Sequence, residues 1–412
     1  MLRESDENAI AGLQAQVAGL TEQVRQLKDQ AQQDMGNAKA KLEDARDSSS
    51  SATERIDGRA KQVFVKLTGS SSNSLTFAIL KEFFSAGFAE SLWSYLSDSK
   101  PFDGELSLAE FSRRAPSLWG TSTDVYVKAC SPVFHLIRLC SEAAGARAVA
   151  GDEEFIGNLA HEMCGKGSSV EEIISWKCTE CPSFCNALRD LVLSVFFDYE
   201  YNRTEYSSDI LSPMQMWYLQ CCLPVSFFPK NAQSKDGSQK ETINSSWSLL
   251  YSSAVHGISV NRFENNVFDY RGPTVSVFQL TDKSIFVLVT EETWRHSATR
   301  FGGSAQLFEM SPGLKRFSSF SPIYCNFKIR SAAFGISFAE RMKIDKEMSN
   351  VFAVEVWGCA PTDALLDQQK LRAWQSKQAE KNKKVPLPGN WDDNPDKTIL
   401  EMAGFEFSNE RK

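Results

Sequence analysis

The chain has 412 residues, of which 42% are hydrophobic and 11% aromatic, enough for several packed cores and too many for a disordered protein. A formal net charge of −7, without a cluster of Lys and Arg, argues against a surface that binds nucleic-acid phosphates. The first residues lack the apolar core of a signal peptide, and no transmembrane segment is indicated. The sequence therefore predicts a cytoplasmic protein, with a location peripheral to endomembranes as the variant, and ten reduced cysteines.

Residues 1–60 predict a coiled coil followed by a serine-rich linker. Apolar residues recur every three or four positions from Ile10 to Ala31, with β-branched residues at one seam position and leucine at the other. This choice favours a parallel two-stranded coiled coil, and hence a homodimer. Because glutamine is frequent at the flanking positions, charge pairing leaves the partner and its orientation open. The alternative is a single amphipathic helix that folds back on the next domain.

Residues 61–228 predict a helical domain, because several segments carry apolar residues at helical spacing and β signals are scarce. Ser212 and Pro213 are the residue types preferred at a helix N-cap and first turn, so one more helix should lead into the last domain. Residues 229–243 carry almost no apolar side chains and predict an exposed linker to a C-terminal domain at 244–412.

The segment from Ser99 to Glu110 has the outline of a calcium-binding loop. Asp103, Gly104 and Glu110 match ligand and turn positions of such a loop. Ser99 and Pro101, however, stand where the first two carboxylate ligands belong, and their loss removes most of the charge match to a hard cation. The sequence therefore favours a metal-free, EF-hand-like turn, with calcium binding as the alternative, and predicts no cofactor.

A second cluster has metal-ligand spacing. His161 and Cys164 form a His-x-x-Cys pair, and Cys178 and Cys181 form a Cys-x-x-Cys pair, which together could supply four zinc ligands. The second pair lies between Trp176 and a long apolar run, so the favoured interpretation is small buried thiols in a helical core. Zinc binding stays open as the alternative.

The C-terminal domain contains three motifs in a fixed order. They are Trp247-Ser-Leu-Leu-Tyr-Ser-Ser253, Gly272-Pro-Thr274 and Phe352-Ala-Val-Glu-Val-Trp-Gly358. In this order they resemble the TLDc domain, the module shared by the oxidation-resistance proteins. Independently, Thr274–Leu280 and Ser284–Val289 predict a β-hairpin across a short polar break.

The resemblance implies an antiparallel β-sandwich with flanking helices. The predicted fold class is therefore α+β: an N-terminal coiled-coil helix, an α-helical EF-hand-like domain and a C-terminal TLDc sandwich. This domain order is similar to that of one branch of the family. After Phe320 the chain departs from the family pattern, since the expected glycine-rich stretch and Leu-Trp-x-Asp strand are missing.

Candidate partner-binding residues lie at turns and strand ends of this domain. Trp294 with Arg295 and Arg300 predicts an exposed aromatic-plus-arginine anchor for an acidic partner. Glu355, in an apolar strand, predicts either a solvated side chain or, preferably, a hydrogen-bonded anchor to a neighbouring loop. His256 at a helix end predicts a capping or surface residue rather than a general base. The full set is His256, Gly257, Gly272, Pro273, Trp294, Arg295, Arg300, Glu355 and Trp357.

None of the four histidines lies in a motif that pairs a nucleophile with a base, so the sequence predicts a non-enzymatic interaction protein. The resemblance implies regulation of the vacuolar proton-pumping ATPase, with its subunits as partners, and resistance to oxidative stress. Two other classes stay open: a thiol-based antioxidant that uses the ten cysteines, and a calcium-responsive adaptor that depends on Asp103 and Glu110.

Replacing Val17 and Val24 by Glu should convert the predicted dimer into a monomer, because each buried seam side chain contributes about 1.5 to 3 kcal/mol. Sedimentation equilibrium of the parent and of Val17→Glu/Val24→Glu measures this directly. A parent chain that is itself monomeric would contradict the prediction.

Overall fold

A computed structural model describes residues 58–69, 74–165, 167, 169–201, 203–228, 247–320, 322–329, 333–383 and 395–404. The predicted coiled coil with its dimer interface and the predicted linker at 229–243 lie outside these residues. The described chain divides into two compact units, one formed by residues up to Ser131 with Arg189–Tyr201 and the other by Pro132–Leu188 and residues beyond Tyr201. None of the helices in the described ranges is both long enough and apolar enough to cross a membrane.

The first unit is mainly helical. Its helices are α1 (58–68), α2 (Phe77–Phe83), α3 (Ala86–Ser97), α4 (Leu108–Arg114) and α5 (Asp124–Ala129), with a 3-10 turn at Ala115–Trp119. A further helix, α9 (Asn186–Phe197), contributes its residues from Arg189 onward. Aromatic rings form the core: Phe111 packs edge-on against Phe64 at 5.5 Å and against Phe196 at 6.4 Å between ring centroids.

Two three-residue strands connect the halves of this unit. Strand β1 (Ser74–Thr76) runs directly into α2, and β2 (Glu105–Ser107) runs directly into α4. The strands pair antiparallel with Leu75 opposite Leu106, and both leucines are buried. A short strand that runs directly into a helix thus occurs twice, and the two strands form this ribbon; the EF-hand-like character of the unit stays a prediction.

The second unit begins with helices. They are α6 (Val133–Ala144), α7 (Asp152–Cys164), α8 (Val170–Glu180) and α10 (Pro213–Cys222), with a 3-10 turn at Val225–Phe227. The predicted start of α10 is confirmed, because the Ser212 hydroxyl accepts from the Gln215 amide and the Gln215 side chain accepts from the Ser212 amide.

Nine strands of the second unit form two antiparallel sheets. The larger sheet has the order β3-β11-β4-β5-β6-β7, with β3 (Ser248–Ser252), β4 (Thr274–Leu280), β5 (Ile285–Thr290), β6 (Gln306–Ser311), β7 (Lys315–Ser318) and β11 (Val351–Gly358). The smaller sheet has the order β10-β9-β8, with β8 (Ile323–Cys325), β9 (Phe334–Phe338) and β10 (Met342–Asp345). The predicted α+β class is therefore confirmed.

Both sheets contribute to one hydrophobic core. Phe278 and Val354 from the larger sheet are buried together with Ile323 and Ile336 from the smaller one. The smaller sheet is built from the segment after Phe320, where the sequence departs from the family pattern, so this segment completes the sandwich. Its strands keep an apolar side chain at every second position, and that alternation suffices to cover the core.

The described part of this unit has four more helices after β3: α11 (Ser253–His256), α12 (Val260–Val267), α13 (Thr362–Lys383) and α14 (Pro395–Met402). Helix α13 is fixed to the end of α12 by a side-chain amide, since Gln368 Nε2 donates to the carbonyl oxygens of Asn266 at 3.2 Å and Phe268 at 2.9 Å. Gln368 is buried by this contact.

The predicted hairpin is present, and β4 has the predicted bounds Thr274–Leu280. Phe352 departs from the simple alternation of a β-strand. Simple alternation places it on the same side as Val354 and Val356, but the register shifts between Val351 and Ala353, and Phe352 is exposed. A bulge inserts an extra residue and reverses the alternation on one side of it, and the sequence carries no signal for it.

The structure divides residues 61–228 between both units, whereas the sequence pattern groups them as one helical domain. Helices α6, α7, α8 and α10 belong to the unit that contains the sheets. Helical periodicity shows that a face is buried, but it does not show which element covers that face.

Gly358→Ala should destabilise the second unit by about 1 to 3 kcal/mol, because an overpacked core forces neighbours out of position. A methyl group at Gly358 would lie 2.4 Å from the ring of buried Tyr270, whose hydroxyl accepts from the Ala360 amide. Gly303→Ala is the matched control, because nothing lies within 4 Å of its added carbon. Urea unfolding of both variants measures the difference, and equal midpoints would contradict the prediction.

Candidate interaction surface

A buried carboxylate ties the larger sheet to a preceding segment of the same unit. Glu355 in β11 is only 2% exposed. Its Oε2 accepts from the Ser208 hydroxyl at 2.5 Å, and its Oε1 accepts from the Asp209 amide at 2.8 Å. The Ser208 oxygen in turn accepts from the amides of Ile210 and Leu211. We call residues 203–212 the strap; Glu355 is the anchor of this strap.

Glu355 belongs to a row of paired residues that crosses the larger sheet. The row consists of Ser252, Glu355, Val277, Val287, Phe308 and Arg316. At its far end Arg316 Nη1 donates to the Glu180 carbonyl at 2.9 Å and pairs with the Glu180 carboxylate at 3.1 Å, at the end of α8. Two charged side chains, one on each side of a buried apolar stretch, therefore fix the strap and the end of α8 to this face.

Trp294 lies in the core and not at the surface. Its indole N–H donates to the Thr274 hydroxyl at 3.0 Å, and its ring packs edge-on against Phe263 at 5.7 Å. The predicted exposed anchor at Trp294 is therefore corrected. The polar loop after Trp294 does not indicate that the indole turns inward and donates to Thr274 on β4.

Arg295 and Arg300 stabilise the loop around them. Arg295 stacks over Phe301 at 4.5 Å and pairs with Glu292 at 3.2 Å, while Arg300 donates to the Pro322 carbonyl at 2.7 Å. Glu292 also accepts from the amides of Gly302 and Gly303, and the Gly303 amide is the main cause of the lowered pKa of Glu292. These charges are already engaged within the domain.

His256 and Gly257 form the turn that follows α11. The His256 ring stacks on Tyr251 at 5.4 Å, and its Nδ1 lies 3.1 Å from the Ser252 carbonyl. Gly257 has a φ of 69°, and its carbonyl accepts from the Tyr251 hydroxyl at 2.6 Å. Arg262 donates to the His256 carbonyl. This is the end-of-helix role that the sequence predicts for His256.

The remaining candidates shape strand ends. An added carbon at Gly272 would lie 2.5 Å from the Ala360 methyl, and the Pro273 carbonyl accepts from the Cys359 amide at 2.8 Å. Trp357 is half-buried and pairs with Val275. These residues position backbone, so their contact with a partner stays a prediction.

Three exposed apolar side chains lie beside this framework. Val255 in α11 is 73% exposed, Phe352 in β11 is 67% exposed, and Ile258 follows the Gly257 turn. The Val354 amide donates to the Ser253 hydroxyl at 3.0 Å and thereby holds α11 against the start of β11. We call Val255, Ile258 and Phe352 the α11 patch. Exposed apolar groups on a fixed framework are typical of protein-binding surfaces.

The sequence motifs indicate the turn but not the patch. Val255 and Ile258 flank His256 and Gly257, whose residue types are typical of a helix end. Isolated apolar residues in a motif do not indicate whether their side chains are exposed. Phe352 is hidden from pattern analysis because its exposure depends on the bulge at Val351 and Ala353.

A groove of about 620 Å³ lies between α12 and α13. His296 Nε2 is 3.1 Å from the Glu264 carboxylate, and Asp269, Lys328 and Arg372 also line the groove. Because charges of both signs lie together, the groove shows no preference for one charge class of ligand.

The four residues of the zinc alternative do not converge. Cys181 Sγ lies 3.5 Å from Cys222 Sγ in the interior, whereas Cys178 is exposed. Within the part of the chain that the structure describes, no group of three or more His, Cys, Asp or Glu side chains could hold a metal ion. The Cys-x-x-Cys spacing fails as a guide because Cys181 ends α8, and the chain direction changes there.

A family model of the TLDc domain matches residues 204–355. The match identifies a TLDc domain within this chain. The match extends from the strap to Glu355, so the two partners of the buried carboxylate contact lie at its two ends. A region of 64 residues is 38% identical to restriction of telomere capping protein 5 of Neurospora crassa, and it spans 16% of this chain and 10% of that protein.

Ser208→Ala should destabilise the TLDc domain by about 1 to 3 kcal/mol, because it leaves a buried carboxylate oxygen and two amides without a partner. Ser226→Ala is the matched control. It also removes a 2.5 Å Ser–Glu hydrogen bond, to Glu291, but this bond is exposed, so its loss should change stability by less than about 0.5 kcal/mol. Urea unfolding distinguishes the two, and equal losses would contradict the anchoring role of Glu355.

Proposed function

We propose that this protein is a non-enzymatic interaction protein whose TLDc domain binds a protein partner through the α11 patch. The observation that carries the proposal is the exposure of Val255 and Phe352 on segments held by the Ser253–Val354 hydrogen bond. Since both segments are fixed, little side-chain and loop ordering opposes binding. Large apolar groups at the centre of an interface also contribute most of its affinity.

The proposed partner is a subunit of the vacuolar proton-pumping ATPase. The support is the TLDc domain match, together with the resemblance to the oxidation-resistance proteins in the three motifs. The matched residues include the strap from residue 204, the Gly257 turn and β11 as far as Glu355. The corresponding location is the cytoplasm, at the periphery of endomembranes.

The absence of catalysis is part of the proposal, and the state of the polar groups supports it. Glu355 accepts two hydrogen bonds from the strap, and Glu292 accepts two from loop amides. His256 is stacked on Tyr251 at a helix end. Glu355, Glu292 and His256 each make a structural contact within the domain, whereas a general base must reach a substrate proton.

The thiol-antioxidant alternative is less well supported. Eight of the ten cysteines are buried, and burial raises the pKa of the Cys181, Cys325 and Cys359 thiols above the usual range. Because the thiolate is the reactive form, such thiols react slowly with peroxides. We therefore propose that any resistance to oxidative stress acts through the bound partner.

Val255→Ser/Phe352→Ser should weaken binding to the purified cytosolic sector of the vacuolar pump by at least about 30-fold, or about 2 kcal/mol, if the α11 patch is the centre of the interface. Biolayer interferometry with the full-length chain measures this.

The matched control is Val225→Ser/Phe320→Ser, which changes the same residue types at positions that are 78% and 87% exposed. The control should bind like the parent. Equal weakening of the two double variants would contradict the assignment of the patch, and a parent chain that does not bind the pump would contradict the assignment of the partner.

A further inference from the structure

Besides Asp103 at the fifth position, the loop before β2 keeps two groups that bind calcium in a twelve-residue loop. Numbered from Ser99, the seventh residue is Glu105, where a main-chain carbonyl is the usual ligand, and the twelfth is Glu110, where a carboxylate is the usual ligand. Both groups face the interior of the loop in this structure, because one cation contacts both.

That cation is the ammonium group of Lys100. Its Nζ lies 2.6 Å from Glu110 Oε1 and 3.1 Å from the Glu105 carbonyl oxygen. The lysine backbone is fixed at the same time: its carbonyl accepts from the Trp93 indole at 3.1 Å, and its amide donates to the Ser97 hydroxyl at 3.1 Å.

We propose that Lys100 acts as the built-in cation of this loop, taking the position of a bound metal ion and holding the β1–β2 ribbon in one calcium-independent conformation. Two carboxylate ligands are replaced by Ser99 and Pro101, so a divalent ion would meet too few oxygens. It would also have to displace an ammonium group that already contacts Glu110 and the Glu105 carbonyl.

The carboxylate is held on both sides. Glu110 Oε2 accepts from the Ser107 amide at 3.0 Å and from its hydroxyl at 2.9 Å, which joins the cation to β2 and to the start of α4. The hydrogen bond from Lys100 is the main cause that lowers the pKa of Glu110 to about 2. The ion pair should therefore persist above pH 4.5 and be lost only as the pH falls towards 2.

The segment before β1 has no carboxylate ligands in its sequence, since it contains no acidic residue between Thr68 and Ile79. The ribbon joins β1 to β2, with Leu75 and Leu106 buried opposite each other.

Hydrogen–deuterium exchange of the full-length chain tests this inference. In Lys100→Met, amides of the β1–β2 ribbon should exchange at least about tenfold faster than in the parent. The substitution removes the ammonium group that donates to Glu110 Oε1 and to the Glu105 carbonyl. The control Lys66→Met removes a 2.8 Å pair with Asp198 in the same unit, with Lys66 similarly part-exposed. It should leave the ribbon unchanged.

Calcium provides the second measurement. Adding calcium chloride or a chelator to the parent should not change exchange in the ribbon. Slower exchange of the parent with calcium, or equal exchange in Lys100→Met and Lys66→Met, would overturn the proposal. The parent measurement needs no variant, so it stands even if Lys100→Met does not fold.

Discussion

The buried carboxylate of Glu355 is the constraint on which the TLDc domain depends. Placing a charged group inside a sheet costs several kcal/mol unless hydrogen bonds replace its water. Here the strap provides both hydrogen-bond donors. Separating the strap from β11 would therefore leave the carboxylate of Glu355 without them, at that cost in free energy. Because β11 lies between β3 and β4, fixing β11 also fixes the edge strand and the central hairpin.

The α11 patch depends on the same strand. One register shift lies between Val351 and Ala353 in the pairing of β11 with β4. Another lies between Val356 and Trp357 in its pairing with β3, on the other side of Glu355 along the strand. The first irregularity turns Phe352 outward. The hydrogen bond between Ser253 and Val354 then places α11 beside it. Rigidity at Glu355 and exposure at Phe352 are therefore two consequences of one strand geometry.

Several features could be predicted from sequence because they depend on neighbours along the chain. The bounds of β4, the cap at Ser212 and the hairpin after Leu280 are of this kind. Glu355 could be predicted to be an anchor because an isolated carboxylate in an apolar strand needs donors. Its partners could not, since Ser208 is 147 residues away along the chain.

The errors also have physical causes. Trp294 precedes a polar loop, yet its indole donates to the Thr274 hydroxyl on β4. No local sequence pattern indicates that contact. Phe352 obeys alternation until a bulge breaks it. The division of residues 61–228 depends on which surface each helix covers. In each case the deciding contact is between elements distant in sequence.

The central claim is that a fixed, exposed apolar patch on β11 and α11 recognises the partner. Hydrogen–deuterium exchange of the full-length chain, with and without the purified cytosolic sector of the vacuolar pump, tests it most directly. The account predicts that bound partner slows exchange in peptides covering 253–258 and 351–354, and leaves peptides around Phe320 unchanged. Slower exchange confined to segments outside the TLDc domain would contradict it.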